Sequence, residues 1–287
     1  MEKKFNRRTF LKRSIATILS ISGIGVGSRY YAEYIEPYWI DITNHTISDE
    51  YIPNGFSGTT IVQFSDTHLG FQYQLNNLEK TVQLINKIQP DLIVFTGDLM
   101  DKPNHYDSPT KIIPILQKLH APFGKFCIFG NHDHGGYGSD LYKQTMEDSG
   151  FMVLQNANTI ITNSLKQSIY ISGIDDAMLG RPNWENTLNN IPKDAYSILL
   201  SHAPDFADRA KNENVSLQLS GHSHGGQVKI PFYGALITPP FAKKYYEGMY
   251  NLGNMKLYVN KGLGTTRMPL RFFTRPEITI FTLQAKN

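Results

Sequence analysis

The chain has 287 residues, which is enough for one large domain or two small ones with a substantial hydrophobic core. Hydrophobic residues make up 40% of the chain and charged residues 18%, and this composition excludes an intrinsically disordered protein. The single cysteine, Cys127, excludes an internal disulfide and a thiolate metal cluster, and its apolar neighbours predict a buried, unreactive thiol.

The net charge of +3 is unevenly distributed along the chain. Residues 1–30 contain seven basic and one acidic residue, residues 31–224 contain 12 basic and 22 acidic residues, and residues 225–287 contain nine basic and two acidic residues. An acidic middle segment suits bound cations. The basic C-terminal segment suits an anionic substrate or surface, although basic residues are more often simply solvated. Its candidate contact residues are Lys243, Lys244, Arg267, Arg271 and Arg275.

Residues 1–30 have the composition of an export signal. The apolar stretch Ile15–Val26 follows a basic start and is shorter than the ~20 residues that a bilayer span needs. Residues 7–12 match the twin-arginine signal pattern, which predicts transport of the folded protein by the twin-arginine translocase. A basic amphipathic helix is the alternative. Small residues at 26–28 permit cleavage, but retention as a membrane anchor stays open. The basic residues are Lys3, Lys4, Arg7, Arg8, Lys12 and Arg13.

An irregular lead-in is expected over residues 31–55, which include Pro37, Pro53 and Gly55. Five aromatic residues stand where the signal meets this segment. They either anchor the chain at a membrane interface or pack onto the following domain. These residues are Tyr30, Tyr31, Tyr34, Tyr38 and Trp39.

From Thr59 onward, apolar runs with strand character alternate with helical patterns, which predicts a single α/β domain over residues 56–287. Helices are predicted at 75–88, 112–119 and 140–148. Strands are predicted at 59–64, 92–95, 126–129, 168–174, 196–200 and 217–220. Three further strands follow without helices between them, at 227–230, 256–259 and 278–283.

Five short polar segments each begin where an apolar strand is predicted to end. Because ligands of α/β sheets bind outside the carboxyl ends of the strands, we expect these segments to converge on one pocket. Three of them contain a glycine directly before a polar residue, as a sharp turn or a close backbone approach requires. The segments are Asp66-Thr67-His68, Gly97-Asp98-Leu99-Met100-Asp101, Gly130-Asn131-His132-Asp133, Ser201-His202 and Gly221-His222-Ser223-His224.

Imidazole, carboxylate and amide groups together form a ligand set that suits Mn, Zn or Fe better than Ca. Seven candidate ligands exceed the needs of one ion and predict two divalent ions ~3.5–4 Å apart, bridged by a carboxylate and a water. A hydroxide between the ions would attack phosphorus, and His132 remains as a general acid. His134 is predicted to lie near the substrate. The candidate ligands are Asp66, His68, Asp98, Asn131, His202, His222 and His224.

In their order, the five segments resemble the motifs of the calcineurin-like metallophosphoesterase superfamily over residues 59–224. Residues 220–231 and 275–283, together with the signal, extend the resemblance to the bacterial exported YkuE/YaeI-type branch and to nearly the whole chain. The resemblance implies a four-layer α/β/β/α sandwich, which accounts for the additional C-terminal strands.

The resemblance also implies a role for each site residue. Asp98 would bridge the two metals, His132 would be the catalytic histidine, and Asp101 would orient it. An aspartate at position 101, where purple acid phosphatases have tyrosine, argues against that branch. The first metal would be bound by Asp66, His68 and His224, and the second by Asn131, His202 and His222.

Two functions from different classes agree with these observations. The favoured one is an exported, monomeric phosphoesterase with two metals, which hydrolyses a phosphate ester or pyrophosphate bond in a small molecule, lipid or wall polymer at the cell wall or membrane. The alternative is an envelope-associated protein with a structural metal site, which would need neither His132 nor Asp101. Nucleic acid is not an expected partner, because no stripe of basic residues is interleaved with aromatic ones.

Overall fold

The computed structural model describes residues 6–135 and 138–286. The α-helices in these ranges are α1 (Arg7–Tyr34), α2 (Leu75–Ile88), α3 (Ile113–Leu116), α4 (Gly138–Asp148), α5 (Trp184–Leu188) and α6 (Ala207–Ala210). The strands are β1 (Asp41–Asp49), β2 (Thr60–Phe64), β3 (Leu92–Phe95), β4 (Lys125–Cys127), β5 (Met152–Val153), β6 (Ala157–Thr162), β7 (Ser168–Gly173), β8 (Ser197–Leu200), β9 (Leu217–Ser220), β10 (Lys229–Ile230), β11 (Gly234–Ala235), β12 (Gly248–Leu252), β13 (Met255–Val259) and β14 (Glu277–Ala285).

Two six-stranded sheets and a small hairpin organise the domain. The first sheet has the order β1-β14-β2-β3-β4-β5, and β2 to β5 run parallel to one another. The second has the order β12-β13-β9-β8-β7-β6, in which β7, β8, β9 and β13 are parallel. The hairpin consists of β10 and β11.

Three apolar clusters show that the domain has the four layers expected of an α/β/β/α sandwich. One cluster joins helices α2 to α4 to the first sheet, a second lies between the sheets, and a third joins the second sheet to α5 and α6. Strand β3 illustrates the arrangement, because Ile93 and Phe95 face the helices while Leu92 and Val94 face the other sheet. This alternation explains why the strand has no polar residue on either face.

Helix α2 forms where the sequence predicts it. Leu78, Val82 and Ile85 recur at helical spacing and are buried against the first sheet. The Asn77 side chain accepts a hydrogen bond from the backbone N–H of Gln74, which satisfies a donor at the helix start. The helix ends where Gln89 adopts the left-handed conformation, directly before Pro90.

The prediction that residues 31–55 are irregular is wrong. Helix α1 continues to Tyr34, and β1 pairs along its whole length with β14. Strand β1 lies at the edge of its sheet, so its polar residues alternate between half-exposed and exposed positions and give no apolar run. Its partner is more than 200 residues away, as the hydrogen bond from Ser48 to Gln284 shows, and local patterns do not report such pairing.

Two predicted elements are shorter than expected. The helix predicted at 112–119 is a single α turn, Ile113–Leu116, preceded by the 3₁₀ turn Pro109–Lys111. Pro109 and Pro114 stand in the first turns of these two elements, where a missing backbone N–H is tolerated. The strand predicted at 227–230 is limited to Lys229–Ile230.

Helix α1 has 28 residues and spans ~42 Å, because each residue adds ~1.5 Å. Among the described residues it is long and apolar enough to cross a membrane, and a signal sequence near the N-terminus meets the same criterion. It could therefore serve as a signal or as a membrane anchor. Lys3 and Lys4 of the predicted signal lie outside the described residues.

Candidate metal centre

The five polar segments converge at one rim of the molecule, as their positions at the ends of predicted strands led us to expect. They follow β2, β3, β4, β8 and β9, whose C-terminal ends meet where the two sheets pack together. Three overlapping groups of histidine and carboxylate side chains at this rim could each hold a metal ion. The first group comprises Asp66, His68 and His224, and the second comprises Asp98, His202 and His222. The remaining one, His68, Asp98 and His132, overlaps both.

The first group brings two histidines and a carboxylate together in the buried interior. His68 Nε2 and His224 Nε2 lie 3.0 Å apart, and Asp66 Oδ1 lies 3.6 Å from His224 Nε2 and 4.0 Å from His68 Nε2. Because metal–ligand bonds of nitrogen and oxygen are ~2.0–2.2 Å long, one ion can reach all three atoms with small adjustments.

The second group contains His202 and His222, whose orientations are fixed by backbone carbonyls. His202 Nδ1–H donates to the Thr96 carbonyl oxygen at 2.7 Å, and His222 Nε2–H donates to the Pro240 carbonyl oxygen at 2.8 Å. In neutral rings the two remaining nitrogens therefore carry lone pairs, and these nitrogens lie 3.1 Å apart. Facing lone pairs at this distance need a positive charge between them, which a proton or a metal ion provides.

Asp98 lies between the two groups. Its Oδ2 is 3.5 Å from His68 Nε2 and 3.3 Å from His202 Nε2. Its Oδ1 accepts a hydrogen bond from the backbone N–H of His132 at 2.8 Å, which fixes the carboxylate plane. A single carboxylate oxygen within reach of both histidine groups has the position that a bridging ligand requires.

The side-chain oxygen of Asn131 indicates that a metal ion fits this pocket. Its Oδ1 is buried and has no hydrogen-bond partner among the described residues. A buried amide oxygen without a partner is unfavourable by ~1–3 kcal/mol, and coordination to a cation would remove this penalty. The donor set of imidazole, carboxylate and amide oxygen therefore fits divalent metal binding.

Electrostatics favour positive charge at the second group. Burial acts to lower the pKa of His202, but the carboxylates of Asp98 and Asp66 outweigh it and raise the pKa to about 10. Burial and the neighbouring His202 charge lower the pKa of His222 to about 3. Burial also acts to raise the pKa of Asp98, yet His202 and His132 hold it well below its ordinary value. The same carboxylates would attract a divalent cation.

His132 lies beside both groups and remains partly open to the cavity. Its ring meets the ring of His68 edge-on, with the centroids 4.5 Å apart. Its Nδ1–H donates to the backbone carbonyl oxygen of Asp101 at 2.6 Å, so Nε2 is the nitrogen free for proton transfer. Burial acts to lower the pKa of His132, but the carboxylate of Asp98 and the Asp101 carbonyl outweigh it and raise the pKa.

The carboxylate of Asp101 lies nearer to His68 than to His132. Its Oδ1 is 3.4 Å from His68 Nδ1 and 3.8 Å from His132 Nδ1. The backbone carbonyl of Asp101 contacts His132, whereas its side chain stands behind a candidate metal ligand. A carboxylate in that position orients the imidazole and strengthens it as a ligand.

Asp133 is a structural part of the site to which the sequence assigned no role. Its buried carboxylate accepts backbone hydrogen bonds from Asp98 at 2.7 Å, Leu99 at 3.0 Å and Gly130 at 2.8 Å. It thus joins the turns that carry Asp98 and Asn131. Burial and the charge of Asp98 raise its pKa to about 7. Its place at the end of the Gly-Asn-His-Asp segment was the signal that could have identified it.

Backbone strain is concentrated at this site. Five of the candidate ligands have positive φ in the left-handed region, where residues with a side chain are uncommon. Such conformations cost ~1–3 kcal/mol each and persist where the surrounding structure determines them. These residues are Asp66 (φ 51), His68 (φ 44), Asp98 (φ 60), His222 (φ 71) and His224 (φ 51).

Two glycines allow the segments to approach each other. Gly97 has φ 97, and a Cβ there would lie 2.6 Å from the backbone nitrogen of Gly130. A Cβ at Gly221 would lie 2.3 Å from Asp66 Oδ2. Both distances are shorter than van der Waals contact, so the predicted close backbone approach is present at these positions.

His134 makes contacts other than those expected of a substrate-binding residue. Its Nε2 lies 2.7 Å from Asp175 Oδ1, and its ring stacks on Phe129 with the centroids 4.7 Å apart. It is not among the described residues that line the metal cavity. The pair with Asp175 ties the loop after β4 to the loop after β7.

Arg271 is buried and does not face solvent or the cavity as a free cation. Its guanidinium lies 3.4 Å from His224 Nδ1 and donates to backbone carbonyls of the loop behind that histidine. It therefore organises the wall of the site. The accepting carbonyls belong to Lys261, Gly262, Gly264 and Thr274.

A cavity of about 370 Å³ opens above the two groups. Five of the candidate ligands, His68, Asp98, Asn131, His222 and His224, form its floor. Basic and apolar side chains form its walls, so an anionic group on the floor would be flanked by both kinds of surface. The wall residues include Met178, Ile237, Pro239, Lys243, Arg267 and Met268.

Comparison with known proteins agrees with this geometry. The chain is 49% identical to the Uncharacterized metallophosphoesterase YkuE of Bacillus subtilis (strain 168), over 99% of this chain and 100% of that protein. It is 30% identical to the Phosphodiesterase YaeI of Escherichia coli (strain K12), over 97% of this chain and 99% of that protein. It is 28% identical to the UDP-2,3-diacylglucosamine pyrophosphatase LpxG of Chlamydia muridarum (strain MoPn / Nigg), over 93% of this chain and 96% of that protein.

The family model described as Calcineurin-like phosphoesterase matches residues 59–226. This range contains all five polar segments, from Asp66 to His224. The resemblance drawn from the sequence motifs, including the YkuE/YaeI-type branch, is confirmed. The chain therefore belongs to the calcineurin-like phosphoesterase family.

Proposed function

We propose that the protein is a phosphoesterase that holds two divalent metal ions and hydrolyses a phosphate ester or pyrophosphate bond outside the cytoplasm. The observation that carries this proposal is Asp98 Oδ2, which lies within 3.5 Å of both His68 and His202. One carboxylate between two histidine groups supports two ions rather than one.

The residues divide naturally between the two ions. Asp66, His68 and His224 would hold the first, and Asp98 would bridge. His202, His222 and the unpartnered oxygen of Asn131 would hold the second. When bound, two divalent ions supply positive charge for the phosphate oxygens and lower the pKa of a water to ~7. This ligand set accommodates Mn, Zn or Fe.

His132 has the geometry of a general acid. Its Nδ1–H is held by the Asp101 carbonyl, and its Nε2 is left for a proton that passes to the leaving oxygen. The carboxylate of Asp98 helps to raise its pKa, which keeps the ring protonated at higher pH. A structural metal site would need no such residue, so the enzyme is favoured over the metal-binding protein without catalysis.

The twin-arginine motif at residues 7–12 supports export in the folded state. Folding before export allows metals to be loaded in the cytoplasm. Relatives that are a phosphodiesterase and a lipid-related pyrophosphatase support a diester or pyrophosphate bond in a lipid, wall polymer or small molecule. We propose a monomer without nucleic-acid partners.

Activity measurements with Asp98→Ala test this proposal. The wild-type protein, isolated from its extracytoplasmic location, is assayed with monoester, diester and pyrophosphate substrates in the presence of Mn²⁺ or Zn²⁺. We expect wild-type hydrolysis of at least one substrate class and no measurable hydrolysis by the variant. Asp194→Ala serves as the control, because Asp194 is exposed and lies away from the site. Equal rates for Asp98→Ala and Asp194→Ala would disprove the proposal.

A further inference from the structure

The loop of the β10–β11 hairpin presents large apolar side chains to solvent. Phe232 and Tyr233 at its tip are 111% and 76% exposed, and Ile230 is also exposed. Phe232 has φ 68, an uncommon left-handed conformation for an aromatic residue. These side chains contribute nothing to the hydrophobic core, and contiguous exposed apolar surface of this kind is typical of interaction sites.

The hairpin lies against the C-terminal end of α1 through Phe272. The backbone N–H of Lys229 donates to the Phe272 carbonyl oxygen at 2.9 Å, and the Phe272 ring meets the Tyr31 ring edge-on at 6.4 Å. The N–H of Arg271 donates to the Ala32 carbonyl oxygen at 2.8 Å. The hairpin and the end of α1 are therefore fixed to the same short segment.

The end of α1 is itself fixed in the domain and surrounded by exposed aromatic rings. The buried carboxylate of Glu36 accepts hydrogen bonds from the backbone N–H groups of Phe273 and Thr274. The preceding part of α1 is apolar and is not buried by the domain. Aromatic side chains at the end of an apolar helix are typical of a membrane–water interface. The exposed ones are Tyr30, Tyr34, Tyr38, Trp39 and Phe273.

The same surface borders the mouth of the metal cavity. The chain continues from β11 into Ile237, which lines the cavity and is largely exposed. Met268 opposite is also exposed and lines the cavity, and Lys243 and Arg267 add positive charge. A Cβ at Gly226 would lie 2.3 Å from Ala235 Cβ, so the hairpin packs directly on the backbone next to His224.

We propose that the β10–β11 hairpin and the end of α1 form one lipid-binding surface that holds the cavity mouth at a bilayer containing anionic lipids. A bilayer suits this surface because α1 is apolar enough to enter it beside the hairpin. The exposed side chains of Lys243 and Arg267 at the cavity mouth attract anionic headgroups. Binding of the hairpin to the bilayer does not depend on the proposed enzymatic activity.

Site-specific fluorescence tests this proposal in the full chain. Phe232→Cys is labelled with an environment-sensitive dye and reconstituted in vesicles of phosphatidylcholine and phosphatidylglycerol. Cys127 is fully buried, so the wild-type chain provides the unlabelled control. We expect a blue shift of the dye emission and loss of most of it when the vesicles contain a nitroxide-labelled lipid. Tyr233→Cys is the second probe, in case Phe232→Cys does not fold.

Leu165→Cys is the matched control. Leu165 is an exposed apolar residue in the turn before β7, at the end of the strand opposite to the site. Its dye should show neither the shift nor the quenching. Equal quenching at positions 165 and 232 would overturn the proposal. A blue shift at 232 without quenching by the nitroxide-labelled lipid would also overturn it, because a second copy of the chain would then cover the hairpin.

Discussion

At the scale of single residues, the sequence predicts the chemical types and the order of the site but not its strained backbone. The positive φ angles of Asp66, His68 and Asp98 arise because neighbouring turns are connected by long-range hydrogen bonds. Asp133 was missed for the same reason, since its three backbone donors belong to two different segments. Neither feature has a local signature beyond the motif itself.

His132→Asn separates catalysis from metal binding. Asparagine retains a polar group at the position but cannot transfer a proton at neutral pH. We expect metal content to be unchanged and kcat to fall by ~10²–10⁴, which is the usual contribution of general acid–base catalysis. Elemental analysis and steady-state kinetics measure the two quantities. A variant that keeps full turnover would contradict the role of His132.

Asp101→Asn tests whether the carboxylate of Asp101 acts mainly on His68 or on His132. Because the carboxylate lies 3.4 Å from His68 Nδ1 and the backbone carbonyl contacts His132, the variant should mainly weaken metal binding. We expect metal affinity to fall by ~10–100-fold, with kcat largely restored at saturating metal. Unchanged affinity with a lasting loss of kcat would instead show that the carboxylate orients His132.

At the scale of secondary-structure elements, strands buried on both faces are readily predicted and edge strands are not. Strand β3 has an uninterrupted apolar sequence, whereas β1 is polar and β6 is only partly buried. The order of elements and the position of the site at the strand ends followed from the buried strands alone. Loop contacts such as His134–Asp175, which connect the ends of β4 and β7, depend on the assembled sheets.

Asp175→Asn should lower the free energy of unfolding in a pH-dependent way. Burial acts to raise the pKa of Asp175, but hydrogen bonds from His134 and from backbone and side-chain N–H groups outweigh it and lower the pKa to about 2. A depressed carboxylate pKa stabilises the fold above its ordinary pKa of 3.8, and this stabilisation is lost as the pH falls towards 2.

Each pKa unit corresponds to ~1.4 kcal/mol, so we expect Asp175→Asn to lower the free energy of unfolding by about 2 kcal/mol at pH 7. Urea titrations at pH 7 and pH 3 measure the difference between wild type and variant, which should be smaller at pH 3. A difference independent of pH would show that the charge of Asp175 does not stabilise the fold.

At the scale of the whole molecule, the sequence already shows an uneven distribution of charge along the chain. The acidic middle segment contains the candidate ligands, and the basic C-terminal segment contributes Lys243 and Arg267 to the cavity wall. The sequence could not show that the β10–β11 hairpin and the end of α1 both contact Phe272, because more than 190 residues separate the hairpin from α1. That adjacency depends on the β1–β14 pairing and on the loop after Arg271.

The number of divalent metal ions bound per chain tests the central claim most directly. Elemental analysis of the folded protein should give about two ions per chain, because two histidine groups share Asp98. Asp98→Ala should lose at least one of them. A wild-type protein that binds a single ion, or none, when metal is saturating would contradict a two-metal site at these five strand ends.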